Sequence, residues 1–131
     1  MTILGVDPHS AKPYGYAVLD GERVVRAGEC SLIALQRILL ESKVDLVAVE
    51  DQYMAKNYRV AKALSWSAGK VMALAELSGT RCAVVNVATW KSKMRAQKGT
   101  HEARAEELFG MRWSDDVASA VLIAAYARDY Y

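Results

Sequence analysis

Acidic residues stand at three separated points of this chain where they could act together in chemistry. Asp7 and Glu50 each end a short apolar run, and Asp115 and Asp116 open the last helical segment. Carboxylate oxygens are the ligands that hard divalent cations prefer. If folding gathers these side chains, they could hold two Mg²⁺ or Mn²⁺ ions about 3.5–4 Å apart, as in two-metal phosphoryl transfer. The pattern therefore predicts a metal site that acts on a phosphodiester, with a nucleic acid backbone as the substrate.

Each acid also has a structural interpretation that the sequence leaves open. Asp7 could begin a turn, and Glu50 could be the solvated end of a strand. Asp115 and Asp116 lie in a first helical turn, where acidic side chains favour the helix dipole. Asp51 is expected to point away from Glu50, because side chains alternate along a strand. Asp116 is favoured over Asp115 as the ligand from the helix.

The composition indicates a soluble globular protein. The chain has 131 residues, 53% hydrophobic and 24% charged, with a formal net charge of +2. This length favours a single domain over residues 1–131, and so mild a charge permits nucleic acid binding without requiring it. Cys30 and Cys82 follow no disulfide or zinc spacing, which indicates free thiols in a reducing cytoplasm. No apolar run reaches the roughly 20 residues of a membrane span, and no secretion leader is recognised, so no membrane partner is expected.

Hydrophobic periodicity predicts an α/β layered domain, with a meander of three strands followed by alternating helices and strands. The predicted strands cover residues 2–7, 14–19, 23–28, 44–49 and 82–85, and the predicted helices cover 32–41, 57–78, 101–109 and 115–129. The run at 44–49 is continuously apolar, as expected of a central strand covered on both faces. We expect a five-stranded mixed sheet in the order 3-2-1-4-5, in which Asp7 and Glu50 lie side by side.

Basic residues crowd two segments that could contact phosphates. One group runs along the long helix (Lys56, Arg59, Lys62, Lys70), and the other occupies the segment before the last helix (Lys91, Lys93, Arg95, Lys98, His101, Arg104). Any one of these side chains could simply be solvated. Together, opposite the acids, they predict a phosphate clamp. Lys91 or Lys93 could also neutralise charge that builds on the scissile phosphate.

Three stretches of the chain resemble the RuvC family of Holliday-junction resolvases, within the ribonuclease H-like superfamily. The family's strand, Asp-Pro turn and following Gly-Tyr-Ala strand are similar to residues 3–10 and 14–18. Its Ile-Glu-x-x-Phe/Tyr segment is similar to residues 48–57, and its Asp/His-x-x-Asp-Ala helix is similar to residues 115–124. The resemblance runs from end to end of the chain and implies a ribonuclease H-like fold.

The resemblance implies a metal-dependent endonuclease that resolves four-way DNA junctions by paired symmetric nicks, leaving a 5′ phosphate and a 3′ hydroxyl. It also implies that Tyr53 stacks on a base at the junction crossover, although this ring could equally pack on the next helix. Lys56 and Asn57 follow in the same stretch and are expected to contact DNA. The short chain and divergent C-terminal third resemble a bacteriophage member, which would act in the cytoplasm of a bacterial host.

Resolving a junction symmetrically calls for two active sites, which a homodimer would supply. Trp66 lies among small residues of the long predicted helix (Ser65, Ser67, Ala68, Gly69), and this face could form the seam between protomers. Trp90 is interpreted as a core residue.

Two residues depart from the family pattern. His9 stands where the family often has glycine, and Ser119 occupies the place of the last catalytic aspartate. Either Asp115 and Asp116 supply the missing charge, or metal binding is weakened, or Ser119 is itself an inactivating substitution. The alternatives are therefore a junction-binding protein that does not cleave, and a ribonuclease H-like nuclease for RNA or RNA–DNA hybrids. A nucleotide-binding module of the sugar-kinase and actin type is disfavoured, because the chain is too short for its two lobes.

Overall fold

Five strands form one mixed sheet in the computed structural model, which describes residues 1–8, 13–51, 58–96 and 99–131. The strands are β1 (Thr2–Asp7), β2 (Tyr14–Asp20), β3 (Arg23–Cys30), β4 (Leu46–Asp51) and β5 (Arg81–Asn86). Their order across the sheet is β3-β2-β1-β4-β5. β1 to β3 are antiparallel neighbours, whereas β4 runs parallel to both β1 and β5. The predicted α/β fold and strand order are confirmed.

Five helices occupy the described ranges: α1 (Leu32–Glu41), α2 (Tyr58–Leu77), α3 (Val87–Lys93), α4 (His101–Phe109) and α5 (Asp115–Tyr130). Four of them match predicted helices to within about one residue. Helix α3 was not predicted; Asn86 caps it by accepting a hydrogen bond from the Thr89 amide at 3.2 Å. In the described ranges, none of the helices combines the length and apolar character that crossing a bilayer needs.

The two faces of the sheet are covered by different helices, and side-chain alternation decides which residue meets which layer. Leu4 and Val6 of β1 and Val47 and Val49 of β4 pack with residues of α1 and α2. The alternate positions of the same strands pack with α5 and with residues from α3 and α4. Helix α5 is buried over its whole central length, from Val117 to Ala127.

Two glycines let α5 lie unusually close to the sheet. A Cβ atom on Gly5 of β1 would overlap the carbonyl oxygen of Ala120 and lie 2.8 Å from the Ala124 amide nitrogen. A Cβ atom on Gly15 of β2 would lie 2.6 Å from the carbonyl oxygen of Asp116. Glycine inside a strand often marks such a close approach of backbone to backbone. These glycines therefore set how near the start of α5 comes to the ends of β1 and β2.

Candidate metal centre

Asp7 and Glu50 lie side by side at the carboxyl ends of two parallel strands. Val6 pairs with Val49, so the next residue of each strand falls at the same edge of the sheet. Both acids continue the alternate set of positions that faces α5. Both are buried, Asp7 with 7% and Glu50 with 2% of its surface exposed. The predicted juxtaposition of these two acids is thus present in the structure.

The start of α5 brings two more acids to this edge. Asp115 and Asp116 form its first turn, after Ser114 at the N-cap position. Asp116 is held above Gly15, the residue that pairs with Asp7 across β1 and β2. Asp116 is half-buried, whereas the Asp115 side chain is 56% exposed.

Electrostatics show that the other three carboxyl groups act on Asp7. The pKa of Asp7 rises from its ordinary value of 3.8 to about 8, and burial is the largest cause. The next causes, in order, are the charges of Glu50, Asp116 and Asp115, and the Lys91 ammonium opposes them. Crowded carboxylates repel one another when ionised, and a divalent cation is the ordinary means of relieving that repulsion. The donor set, made of oxygens on short side chains, fits Mg²⁺ or Mn²⁺.

The acids are near one another, but their side chains do not form a complete metal-binding site. Within the described ranges, no three His, Cys, Asp or Glu side chains converge on a common point in metal-binding geometry. Sharing an ion among three of them would therefore require a change in side-chain arrangement. The backbone, fixed by strand pairing and by the close packing of α5, already brings these residues together.

Ser119 is buried and faces a histidine. Its exposed fraction is 3%, and its Oγ lies 3.0 Å from Nδ1 of His101, the first residue of α4. The same Nδ1 lies 3.1 Å from Oδ1 of Asp115. His101 was predicted to be one of the phosphate-binding residues, but only 7% of it is exposed. His101 instead joins Ser119 to one of the candidate ligands.

Trp90 is a second buried ring beside the acids. It is fully buried, as expected of a core residue, and its Nε1 donates a hydrogen bond to Oε2 of Glu50 at 3.0 Å. Its ring centroid lies 5.5 Å from that of His101, with the planes tilted by 45°. The contact with Glu50 could not be found from the sequence, since it depends on α3, which was not predicted.

The predicted basic residues fall in different places. Lys91 acts electrostatically on Asp7, but the Lys93 ammonium lies 5.6 Å from the ring centroid of Tyr130, at the end of α5 remote from Asp115. Arg104 donates from Nε to the Met94 carbonyl at 2.7 Å and pairs with Glu107 at 3.1 Å. Its guanidinium is therefore engaged within the protein.

An open groove of about 730 Å³ runs between α3 and α4 beside these basic groups. Lys91, Arg95 and Arg104 line it together with Glu107. Arg59 is exposed near the start of α2. The other residues predicted to bind DNA (Tyr53, Lys56, Asn57, Lys98) lie outside the described residues, as does His9.

Comparison with known proteins shows that this architecture is similar to that of RuvC proteins. No family model matches the chain. The chain is 34% identical over 97 residues to the crossover junction endodeoxyribonuclease RuvC of Chlorobium phaeovibrioides. The matched region covers 60% of this chain and 51% of that protein. The chain thus spans about half the length of the curated relative it matches.

Solved structures share the fold across nearly the whole chain. A Thermus thermophilus RuvC in complex with a Holliday junction substrate has a TM-score of 0.82 at 19% identity, covering 99% of this chain and 97% of that one. A second T. thermophilus RuvC structure gives a TM-score of 0.80, also at 19% identity, over 99% and 95% of the two chains. The yeast mitochondrial Holliday junction resolvase gives 0.54 at 15% identity, over 98% and 80%. The chain has the ribonuclease H-like fold of RuvC, and the resemblance to that family found in the sequence is confirmed.

Proposed function

We propose that this chain is a divalent-metal-dependent endonuclease of the RuvC type that resolves four-way DNA junctions. One observation carries the proposal: buried Asp7 and Glu50 meet the first turn of α5 at the carboxyl ends of two central parallel strands. Burying several charged groups together costs free energy. An acidic side chain with a purely structural role would not need to be buried in this way. Their position within a RuvC fold supports assigning that cost to nuclease chemistry.

Asp7, Glu50, Asp116 and Asp115 would hold the cations in this proposal, two ions to a site. The chemistry that such ions supply is activation of a water for in-line attack and stabilisation of the leaving 3′ oxygen, which yields a 5′ phosphate and a 3′ hydroxyl. The half-buried Lys91, which opposes the charge of the acids, is the described cation best placed to offset negative charge on the scissile phosphate. Lys93 is less suited, because its ammonium lies near Tyr130, at the end of α5 remote from Asp115.

Paired nicking further requires two sites, and we include a homodimer in the proposal. Trp66 on α2 is 62% exposed, whereas Ser67 and Ala68, its neighbours in the predicted seam, are buried within the protomer. A large apolar side chain that remains in solvent suits burial against a second copy, and Trp66 is therefore the residue that supports this contact. We also place the protein in the cytoplasm of a bacterial host, with a bacteriophage origin remaining a prediction.

The direct test compares three substrates in Mg²⁺ or Mn²⁺: a synthetic four-way junction, a linear duplex of the same sequence and an RNA–DNA hybrid. We expect nicks at symmetric positions in two strands of like polarity in the junction, and little cleavage of the other substrates. Faster cutting of the hybrid would instead indicate a ribonuclease H activity.

A junction-binding protein that does not cleave is the second candidate, and the burial of Ser119 against His101 favours it. The position that would carry a third inward carboxylate carries a neutral hydroxyl instead. This candidate predicts tight, salt-sensitive junction binding with no nicking in either metal. Nicking by Ser119→Asp alone, and not by the unaltered chain, would establish it.

Arg95 provides a test of the groove as a phosphate-binding surface. It follows the C-cap of α3 with φ of +56°, in the left-handed region that favours glycine, and its side chain is exposed. Arg95→Gly is therefore expected to raise the free energy of unfolding by about 1 kcal/mol while weakening junction binding. If Arg95 contacts one phosphate, the salt dependence of binding should also fall by about one unit of slope.

Lys43 is a matched control for Arg95. It follows the C-cap of α1 in the same conformation, with φ of +51°, and is exposed before β4, at the end of the sheet away from Asp7. Lys43→Gly should stabilise the protein by a similar amount and leave junction affinity unchanged. Equal loss of affinity in both variants would show a general effect of net charge and would rule out the groove as a local contact.

A further inference from the structure

Two of the four acids in the centre are each hydrogen-bonded to a buried aromatic ring. Trp90 donates to Glu50, and His101 Nδ1 faces Asp115 at 3.1 Å. The rings belong to α3 and α4, pack against each other, and have exposed fractions of 0% and 7%. We call Trp90 and His101 the ring pair. It connects the acid at the end of β4 to the acid at the start of α5.

The surroundings of His101 select one tautomer. An ionised Asp115 can only accept a hydrogen bond, so a proton on Nδ1 gives a favourable contact with it and with the Ser119 oxygen. The other tautomer would set the Nδ1 lone pair against a carboxylate oxygen and bury an Nε2 proton without a partner. Nε2 is buried and has no hydrogen-bond partner among the described residues, and a bare lone pair there is the less costly of the two choices. The tautomer with the proton on Nδ1 is therefore assigned.

Asp115 needs such a partner more than the other acids do. Its side chain is 56% exposed, in the first turn of a helix. A carboxylate that samples several rotamers must lose that freedom when it binds an ion, and this loss weakens binding. A hydrogen-bond donor that contacts a metal-binding carboxylate fixes its rotamer and orients it before the ion binds. Removing such a donor typically lowers metal affinity 10- to 100-fold.

We propose that His101 is a positioning residue: through its Nδ1 proton, and anchored by Ser119, it holds the Asp115 carboxylate toward the cation centre. Trp90 has the equivalent action on Glu50. The inference rests on the proposed function in that it assumes a cation binds there. It gives the serine at position 119 a role, because a carboxylate in its place would compete with Asp115 for the same N–H.

The first test needs no metal. The chain contains only two histidines, so two-bond ¹H–¹⁵N correlations of the metal-free protein, assigned by comparison with a His101 variant, report the tautomer of His101. We expect Nδ1 to carry the proton. A proton on Nε2 alone would overturn the proposal, and this measurement on the unaltered chain stands whether or not any variant folds.

The second test compares His101→Gln with His101→Asn. The asparagine amide nitrogen can take the place of Nδ1, whereas the glutamine amide reaches the place of Nε2. Titrating metal-free protein with Mn²⁺, followed by the electron paramagnetic resonance of the free ion, should show a Kd raised 10- to 100-fold in His101→Gln. His101→Asn should stay within about threefold of the unaltered chain, and junction binding in EDTA should be the same in all three.

A double-mutant cycle separates positioning from a structural effect. If His101 acts through Asp115, then His101→Gln should cause no further loss of Mn²⁺ affinity in an Asp115→Asn background. Additive losses, or a His101→Gln variant that binds Mn²⁺ like the unaltered chain, would overturn the inference while leaving the proposed function intact. Failure of the unaltered chain to bind Mn²⁺ would overturn both, and so the two failures are distinguishable.

Discussion

Asp7→Asn is expected to abolish junction cleavage and, in the absence of metal, to make the protein more stable. Asparagine keeps the shape of the side chain but removes the charge that a cation needs and that the neighbouring acids oppose. Substituting a functional residue that is held in an unfavourable environment commonly lowers activity and raises stability. The magnitude on stability should be large, because Asp7 is buried beside three other acids.

The stability effect should depend on pH in a defined direction. The pKa of Asp7 is about 8 in the folded protein, above the ordinary value of 3.8 that applies to the unfolded chain. Between these values the folded state holds a proton that the unfolded state has released, so the stability of the unaltered chain falls as pH rises through this window. Asp7→Asn lacks this loss of stability. Its free energy of unfolding should therefore exceed that of the unaltered chain by near zero at pH 4 and by several kcal/mol at pH 8, at about 1.4 kcal/mol per pKa unit.

Chemical denaturation at a series of pH values in EDTA, repeated in Mg²⁺, measures both effects. The metal should stabilise the unaltered chain and not Asp7→Asn, since only the former offers the full ligand set. Asp20→Asn is the matched control, because Asp20 is exposed at the opposite end of the sheet. An Asp7→Asn variant that still nicks junctions, or that is less stable than the unaltered chain at pH 8, would contradict the assignment of Asp7.

Gly15→Ala is expected to damage the site without changing any candidate ligand. The added Cβ atom would lie 2.6 Å from the carbonyl oxygen and 3.0 Å from the carbonyl carbon of Asp116. These are backbone atoms of a helix buried over most of its length, so they cannot move aside as a flexible side chain would. We expect the first turn of α5 to be displaced, at a cost of about 1–3 kcal/mol in stability. Misplacement of catalytic groups by about 1 Å can reduce the rate about 100-fold.

Gly28→Ala in the adjacent strand is the control for this substitution. A Cβ atom there would lie 3.4 Å from the Tyr16 ring, an ordinary contact, and neither glycine has a positive φ. Single-turnover cleavage and thermal unfolding of the two variants should differ clearly, with Gly28→Ala close to the unaltered chain. If Gly15→Ala cleaved and unfolded normally, the close packing of α5 would not be what positions Asp116.

Much of the fold could be predicted from the sequence because its signals are local. Hydrophobic periodicity predicted the strands and helices, and the continuously apolar run at 44–49 indicated a central strand. The predicted strand order then placed Asp7 beside Glu50. Helix α3 was missed because it is only seven residues long and its last three residues belong to a strongly basic segment.

The parts of the site that sequence reasoning missed are those created by tertiary contacts. In the sequence, His101 resembles the basic residues around it, and only the packing of α4 on α5 buries it. The hydrogen bond from Trp90 to Glu50 likewise depends on the position of α3 beside β4. Gly5 and Gly15 did carry a signal, since glycine within a strand indicates close backbone approach. Nothing in their spacing, however, identifies the helix that approaches them.

The most direct measurement of the central claim is an anomalous difference map from crystals of the unaltered chain soaked in Mn²⁺. The proposal predicts anomalous peaks at the carboxyl ends of β1 and β4, with carboxylate oxygens of Asp7 and Glu50 bound to the same ion and Asp116 contributing from α5. A fully soaked crystal with no peak in contact with Asp7 or Glu50, or with Mn²⁺ bound only elsewhere on the molecule, would contradict it.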